Sequence, residues 1–219
     1  MNFNLSEEQI MIQDSVARFV QETYAFDQRN AAVALPHGFS ADNWQQSAEL
    51  GWLSIPFAEE YGGFGGGPVD TMVITQEFGR GLVAEPFLPT VLLFGGLLQA
   101  GASEELRSEL IPQIVAGELQ GAFAFAERQS RYTITDVKTR ARQDGASWVL
   151  NGEKIYVTSG QWADTLVVWA TLDKSLGKAA IKSFIVEKGT PGCEVTRLER
   201  KMGIRASDTA AITFSDCRI

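Results

Sequence analysis

Histidine is almost missing from this chain, with His37 alone among 219 residues. That excludes a histidine-based zinc site, and the placement of His37 in a Pro36-His37-Gly38 loop argues against a Ser-His-Asp triad. Cysteine is scarce too. Cys193 and Cys217 lack metal-ligand spacing and lie in strand-like sequence, as expected for reduced thiols rather than a disulfide framework. Positive charge is in deficit, 19 basic against 27 acidic residues, and the net −8 argues against a general nucleic-acid surface while leaving room for local basic pockets. No apolar run approaches the ~20 residues of a bilayer span. The greasiest, from Val91 to Leu98, is interrupted by Gly95-Gly96 and reads as a buried helix. No secretion signal follows Met1, so the expected location is the cytoplasm, away from membranes.

What is present divides by period. The length suffices for one large or two modest domains. In the first half, Ser6-Glu-Glu-Gln9 forms a capping box ahead of Ile12, Val16, Phe19 and Val20, which predicts a helix from residue 6 to about 26. A loop through Pro36-His37-Gly38 leads to a second helix, capped by Ser40, carrying Trp44 and Ala48, and closed by Gly51. A third is expected from about Asp70 to Phe78, with Glu77 as a surface charge on its flank. Thr90 begins the apolar helix, and Ser103 caps another with Leu106, Leu110 and Ile114 in register. The glycine cluster from Gly62 to Gly67 fits neither nucleotide-binding fingerprint and reads as a flexible turn.

From Leu119 the period changes to two, which places a domain boundary near residue 118. Val137, Thr139 and Ala141 alternate with basic residues, and Leu166–Ala170, Phe184–Val186, Val195–Leu198 and Ile212–Phe214 supply further strands. The fold class is therefore α+β: an all-α N-terminal domain over 1–118, then an antiparallel β-barrel or sandwich over 119–219. Asn151-Gly152, between Leu150 and Ile155, predicts a tight hairpin, and the two strand-like runs of this region carry Phe123 and Phe125 on one and Tyr156 and Thr158 on the other. Such edges suit a flat ligand, since apolar rings cover it while amides and a hydroxyl bond its rim; an ordinary sheet core explains the alternation equally well.

Four segments together resemble the acyl-CoA dehydrogenase family: Leu5-Ser-Glu-Glu-Gln9, Pro56 through Gly63, Asn151-Gly-Glu-Lys-Ile-Tyr-Val-Thr-Ser159, and Lys201-Met-Gly-Ile-Arg-Ala-Ser-Asp-Thr209. The resemblance covers the whole chain. It implies FAD as cofactor, an acyl-CoA thioester as substrate, and desaturation between Cα and Cβ by α-proton abstraction with β-hydride transfer to flavin. It places cofactor contacts on Phe123, Phe125, Ala126, Arg131, Tyr156, Val157 and Thr158, and a substrate contact on Tyr132. The family's catalytic carboxylate comes from a C-terminal helical bundle beyond residue 219, so no catalytic residue is assigned, and Glu127 is declined as a base. Asp208 and Thr209 are expected chiefly to brace a turn. Homo- or hetero-oligomers with other subunits of the family are implied as partners.

One segment departs from the family's pattern of Thr-Glu-Pro followed by a Gly-Ser-Asp turn. Here stand Ala126-Glu127-Arg128 and Ser130-Arg131-Tyr132-Thr133, so a hydroxyl is lost and bulky side chains replace small ones. Two readings follow. Arg128 and Arg131 offer guanidinium forks to phosphate in place of amides, or the chain is a non-flavin structural or regulatory subunit, closest to the pimeloyl-CoA dehydrogenase small-subunit type. A CoA-ester binding module without redox chemistry is the third alternative.

Overall fold

The computed structural model describes residues 4–219. The chain forms two compact units, one from the N-terminal portion up to Phe87 together with Leu98–Glu118, the other from Leu88–Leu97 and Leu119–Ile219.

The first unit is helical. Helix α1 (Glu7–Thr23) starts on the predicted capping box, with Ser6 Oγ accepting from the Gln9 amide and Gln9 Oε1 accepting from the Ser6 amide. Helix α2 (Phe26–Val33) occupies sequence that carried no helical signal, because it has no side-chain cap and buries only Ala32. Helix α3 (Ala41–Glu49) is capped by Ser40 and followed by Gly51 at φ 78°. Helix α4 (Pro68–Gly81) begins earlier than the apolar pattern suggested, since Asp70 accepts the Gly67 amide at 2.7 Å and Pro68 fits the first turn. The glycine cluster before it is a packed turn: the amides of Gly65 and Gly66 donate to the carbonyls of Phe57 and Ile55, both at 2.7 Å. Those amides have internal partners, which suits a turn better than a phosphate cradle.

The expectation of a surface Glu77 is corrected. Its side chain is 2% exposed, accepts from Gln13 Nε2 at 2.9 Å and pairs with Arg80 at 2.5 Å. The partner on α1 lies 64 positions away in the chain, beyond the reach of a local pattern. In the core of the same unit, Phe19, Trp52, Phe78 and Phe87 pack edge to face in succession, with centroids 5.1–5.8 Å apart.

A π-helical stretch (Phe87–Gly95) runs on into α5 (Gly96–Gly101), and Ser103 caps α6 (Glu104–Val115). Residues 88–97 of this apolar run belong to the β unit. There, Phe94 lies so close beneath Gly121 that a side chain at Gly121 would collide with its ring.

The second unit is a curled sheet of strands β1 (Gly121–Ala124), β2 (Arg140–Asp144), β3 (Ser147–Thr158), β4 (Thr165–Thr171), β5 (Ile181–Glu187), β6 (Cys193–Leu198) and β7 (Thr209–Arg218). The order is β1-β4-β2-β3-β7-β6, with β5 also on β4. Most pairs are antiparallel, while β1 runs parallel to β4 and β2 touches β4 through the single parallel pair Arg140–Thr171. Ala122, Ala124, Leu150, Val157, Val168, Ile212 and Phe214 fill its core.

The expected hairpin at Asn151-Gly152 is not there, because β3 runs straight through both residues. The turn lies at Gly145-Ala146, with Gly145 at φ 66°. Asn151 and Gly152 instead mark a bulge against β7, where Asn151 exchanges hydrogen bonds with Asp216 and a Cβ on Gly152 would come within 2.5 Å of Thr139 Oγ1.

A buried acid in the helical unit yields a pH prediction. Glu85 accepts from the Tyr24 hydroxyl, and its other oxygen has no partner. Burial pushes its carboxyl up to about 7. The folded form therefore holds a proton that the unfolded chain releases near pH 4.5. Stability from this site is complete below that value and falls as pH rises through about 7. Urea unfolding at pH 5 and pH 8 should show wild type losing on the order of 2 kcal/mol more than Glu85→Gln. Equal losses would contradict the assignment.

Candidate functional site

Strand β1 ends where an ion pair buried inside the unit fixes the chain. The Glu127 and Lys154 side chains are 4% and 0% exposed and meet at 2.7 Å. Glu127 Oε1 also accepts the Thr139 amide at 2.9 Å, while Oε2 accepts the Lys138 amide and Gln129 Nε2, each at 2.7 Å. Lys154 donates a second bond to the Phe125 carbonyl at 3.2 Å. Burial alone would raise the Glu127 carboxyl, but Lys154, Gln129 and the Thr139 amide outweigh it and hold it down to about 2. A carboxylate with both oxygens so engaged is poorly suited to accept a substrate proton, which gives a physical reason for declining Glu127 as a base.

This arrangement positions the residues singled out from sequence. The Ile155 amide donates to the Ala126 carbonyl at 2.9 Å, so the two proposed cofactor segments are bonded neighbours. A second bulge, between Lys154 and Val157, holds Tyr156 at φ 56°. Tyr156 is 61% exposed, and Thr158 is half-buried with no side-chain hydrogen bond among the described residues. Val157, between them, turns into the core and leaves only its backbone for contact. Tyr156 and Thr158 thus share the face of β3 that points away from the core.

Phe123 occupies the outer face of β1, and Phe125 follows directly after the strand on the same side, because Ala122 and Ala124 take the core side. Their rings stack on each other at 4.7 Å, and Trp169 of β4 packs edge-on to Phe123 at 5.1 Å. Trp169 was missed from sequence. The alternation of Leu166–Ala170 carried its facing, but the parallel β1–β4 pairing that brings it to Phe123 was not legible.

Arg131 and Tyr132 are not gathered onto this wall by any bond among the described residues. They form a turn in which Arg131 has φ 46° and Tyr132 is fully exposed. Ser130 is occupied locally, its hydroxyl bonding the Glu127 carbonyl at 2.8 Å. Arg128 is exposed and stands 3.9 Å from Glu153. Asp208 does brace a turn, accepting the Gln161 amide at 2.9 Å through its side chain and the Ser159 amide at 3.2 Å through its carbonyl.

Beyond the Arg131 turn lies a cavity of about 260 Å³ between two loops. Thr133, Thr135 and Asp136 line one side, Thr171, Lys174 and Ile181 the other. Asp136 and Lys174 pair at 3.1 Å. Thr171 is 2% exposed and its hydroxyl has no partner, as is true of Thr139, whose carbonyl accepts the Thr171 amide. Of these two hydroxyls only that of Thr171 belongs to the cavity lining, where a ligand or water that bonds it would be favoured. Among the described residues there is no cluster suited to a metal ion and no helix long and apolar enough to cross a membrane.

A helical unit followed by a curled sheet with exposed aromatic and hydroxyl groups is the two-part fold that the comparisons with known proteins also find. Residues 6–118 match the acyl-CoA dehydrogenase N-terminal domain and residues 122–217 the acyl-CoA dehydrogenase middle domain. The chain belongs to the acyl-CoA dehydrogenase family. It is 32% identical to the acryloyl-CoA reductase (NADH) of Anaerotignum propionicum, with 100% of this chain and 56% of that protein covered. It is 30% identical to the short-chain-specific acyl-CoA dehydrogenase of Clostridium acetobutylicum, covering 99% and 57%. The butyryl-CoA dehydrogenase structure from Megasphaera elsdenii superposes with a TM-score of 0.88 at 28% identity, over 100% of this chain and 58% of that one. The chain thus spans a little over half the length of these relatives.

The buried pair makes a quantitative prediction. Lys154→Met strands an ionised Glu127 and should cost about 3–5 kcal/mol, whereas Lys154→Met with Glu127→Gln should recover part of that loss. Urea unfolding of both variants measures it. A single-variant cost under about 1 kcal/mol would show that the pair does not hold the site.

Proposed function

We propose that this chain is the flavin- and thioester-facing part of an FAD-dependent acyl-CoA dehydrogenase that introduces a Cα–Cβ double bond into an acyl-CoA thioester. The observation that carries the reading is the wall of β3, where Tyr156 is exposed and the Thr158 hydroxyl has no side-chain partner beside a strand bonded to Ala126. Those groups fit a flavin. Tyr156 would cover the ring system, Thr158 would bond a polar atom of its rim, and small Ala126 leaves its edge accessible. When bound, FAD supplies the acceptor for the β-hydride. The Glu127–Lys154 pair keeps the wall rigid, and its saturation leaves Glu127 unsuited to take the α-proton.

The cavity supports the thioester half of the reading. Threonine hydroxyls, the Lys174 ammonium and the aliphatic Ile181 suit the amide-rich, phosphate-ended handle of CoA. Tyr132, fully exposed between cavity and wall in sequence, would contact the same handle, and Arg131 would meet phosphate oxygens. In this reading the protein works in the cytoplasm within a homo- or hetero-oligomer of related subunits, independently of nucleic acid and membrane.

A second reading is favoured by one observation. Ala126 has no hydroxyl to offer, and the Ser130 hydroxyl is committed to Glu127, so the loop gives a flavin fewer donors. On that reading the chain is the colourless partner in a mixed assembly, of the pimeloyl-CoA dehydrogenase small-subunit type, or a CoA-ester binder without redox activity.

Titration of the purified chain with FAD, followed by quenching of flavin fluorescence, separates these. The proposal expects saturable binding that Thr158→Val weakens about tenfold through loss of one hydrogen bond, and Tyr156→Ala by at least as much. A chain that takes up no FAD, yet is stabilised thermally by CoA, would overturn the flavin assignment and favour the second reading.

A further inference from the structure

The Gln129 side chain spans the loop between the wall and the cavity. Its Nε2 donates to Glu127 Oε2 at 2.7 Å and to the Asp136 carbonyl at 3.0 Å, seven residues on. Asp136 in turn reaches across the cavity to Lys174. A continuous set of polar contacts therefore runs from Lys154 through Glu127, Gln129 and Asp136 to Lys174, with the buried pair at one end and both lips of the cavity at the other.

Among the described residues two side chains bond across this loop, Glu127 to the Lys138 and Thr139 amides and Gln129 to the Asp136 carbonyl. The turns inside it are local: the Ser130 amide donates to the Glu127 carbonyl, the Thr133 amide to Ser130 and the Asp136 amide to Thr133, each over three residues. Such bonds shape successive turns without fixing where the far end lies. The Glu127 carboxylate fixes the Lys138 and Thr139 amides beyond the rim, while Asp136 itself is held by Gln129 at its carbonyl and by Lys174 at its carboxylate. A neutral amide suits this task. Its two N–H groups serve a carboxylate and a carbonyl at once, whereas a carboxylate in its place would be repelled by Glu127.

We propose that Gln129 is a positioning residue that sets the mouth of the cavity lined by Thr133, Asp136, Thr171 and Lys174, and so sets its affinity for the phosphate- and amide-bearing handle of an acyl-CoA. The ligand half of this proposal rests on the reading of the cavity given above. The positioning half rests on hydrogen bonding alone.

Gln129→Met, similar in length but without a donor, and Gln129→Glu test it in the full chain. Hydrogen exchange at the Asp136 amide without ligand should accelerate about fivefold or more in both variants, while melting temperature shifts by only a few degrees. Calorimetry with CoA should show affinity falling by about fivefold to tenfold. Unchanged exchange in both variants overturns the positioning role. Accelerated exchange with unchanged CoA affinity overturns the link to the ligand. Failure of wild type to bind CoA overturns the reading of the cavity itself, and exchange then still decides whether Gln129 holds the rim.

Discussion

The Glu127–Lys154 pair is the constraint on which the rest of the β unit's site depends. An ion pair hidden from water is expensive to assemble, and it persists only where further hydrogen bonds satisfy both charges. Here the carboxylate draws donors from three separate places: the β3 lysine, the amides leading into β2, and the glutamine of the intervening loop. The ammonium returns a bond to the end of the β1 segment at Phe125. Elements remote in sequence are thereby set against one another by polar bonds whose lengths and directions are narrow. Apolar packing alone would be less particular about register.

That constraint explains why two unusual backbone features are found nearby. A bulge beyond Lys154 turns Tyr156 to positive φ, and a second at Gly152 allows Thr139 to approach β3 closely. Strained or irregular backbone survives where its surroundings determine it, and it concentrates at ligand sites. With Lys154 fully buried and Val157 in the core, the residue between the bulge and the core is forced outward. The exposure of Tyr156 follows from what is buried on either side of it.

Much of this architecture was legible in the sequence. Capping residues marked α1, α3 and α6, and the change of period near Leu119 marked the start of the strands. Tyr156 and Thr158 were singled out by their place in a familiar run of residues, and strand alternation already put them on one face. The misses share a cause. Asn151-Gly152 has the chemistry of a tight turn, but side-chain bonds to Asp216 and contact with Thr139 committed it to a bulge. Glu77 looked like a surface acid because its partner Gln13 is distant in sequence. Trp169, Gln129 and the Thr171–Lys174 lip were invisible for the same reason, since each takes its place from a tertiary pairing that no local period encodes.

The central claim is that the outer face of β3, held by the buried pair, lies against the flavin. Amide chemical-shift mapping of the isotope-labelled chain during addition of FAD tests it most directly. The account predicts the largest shifts at Ala126 and at residues 155–158, with little change at the distant β6 edge. Saturable FAD binding whose shifts spare those amides and cluster elsewhere would contradict it.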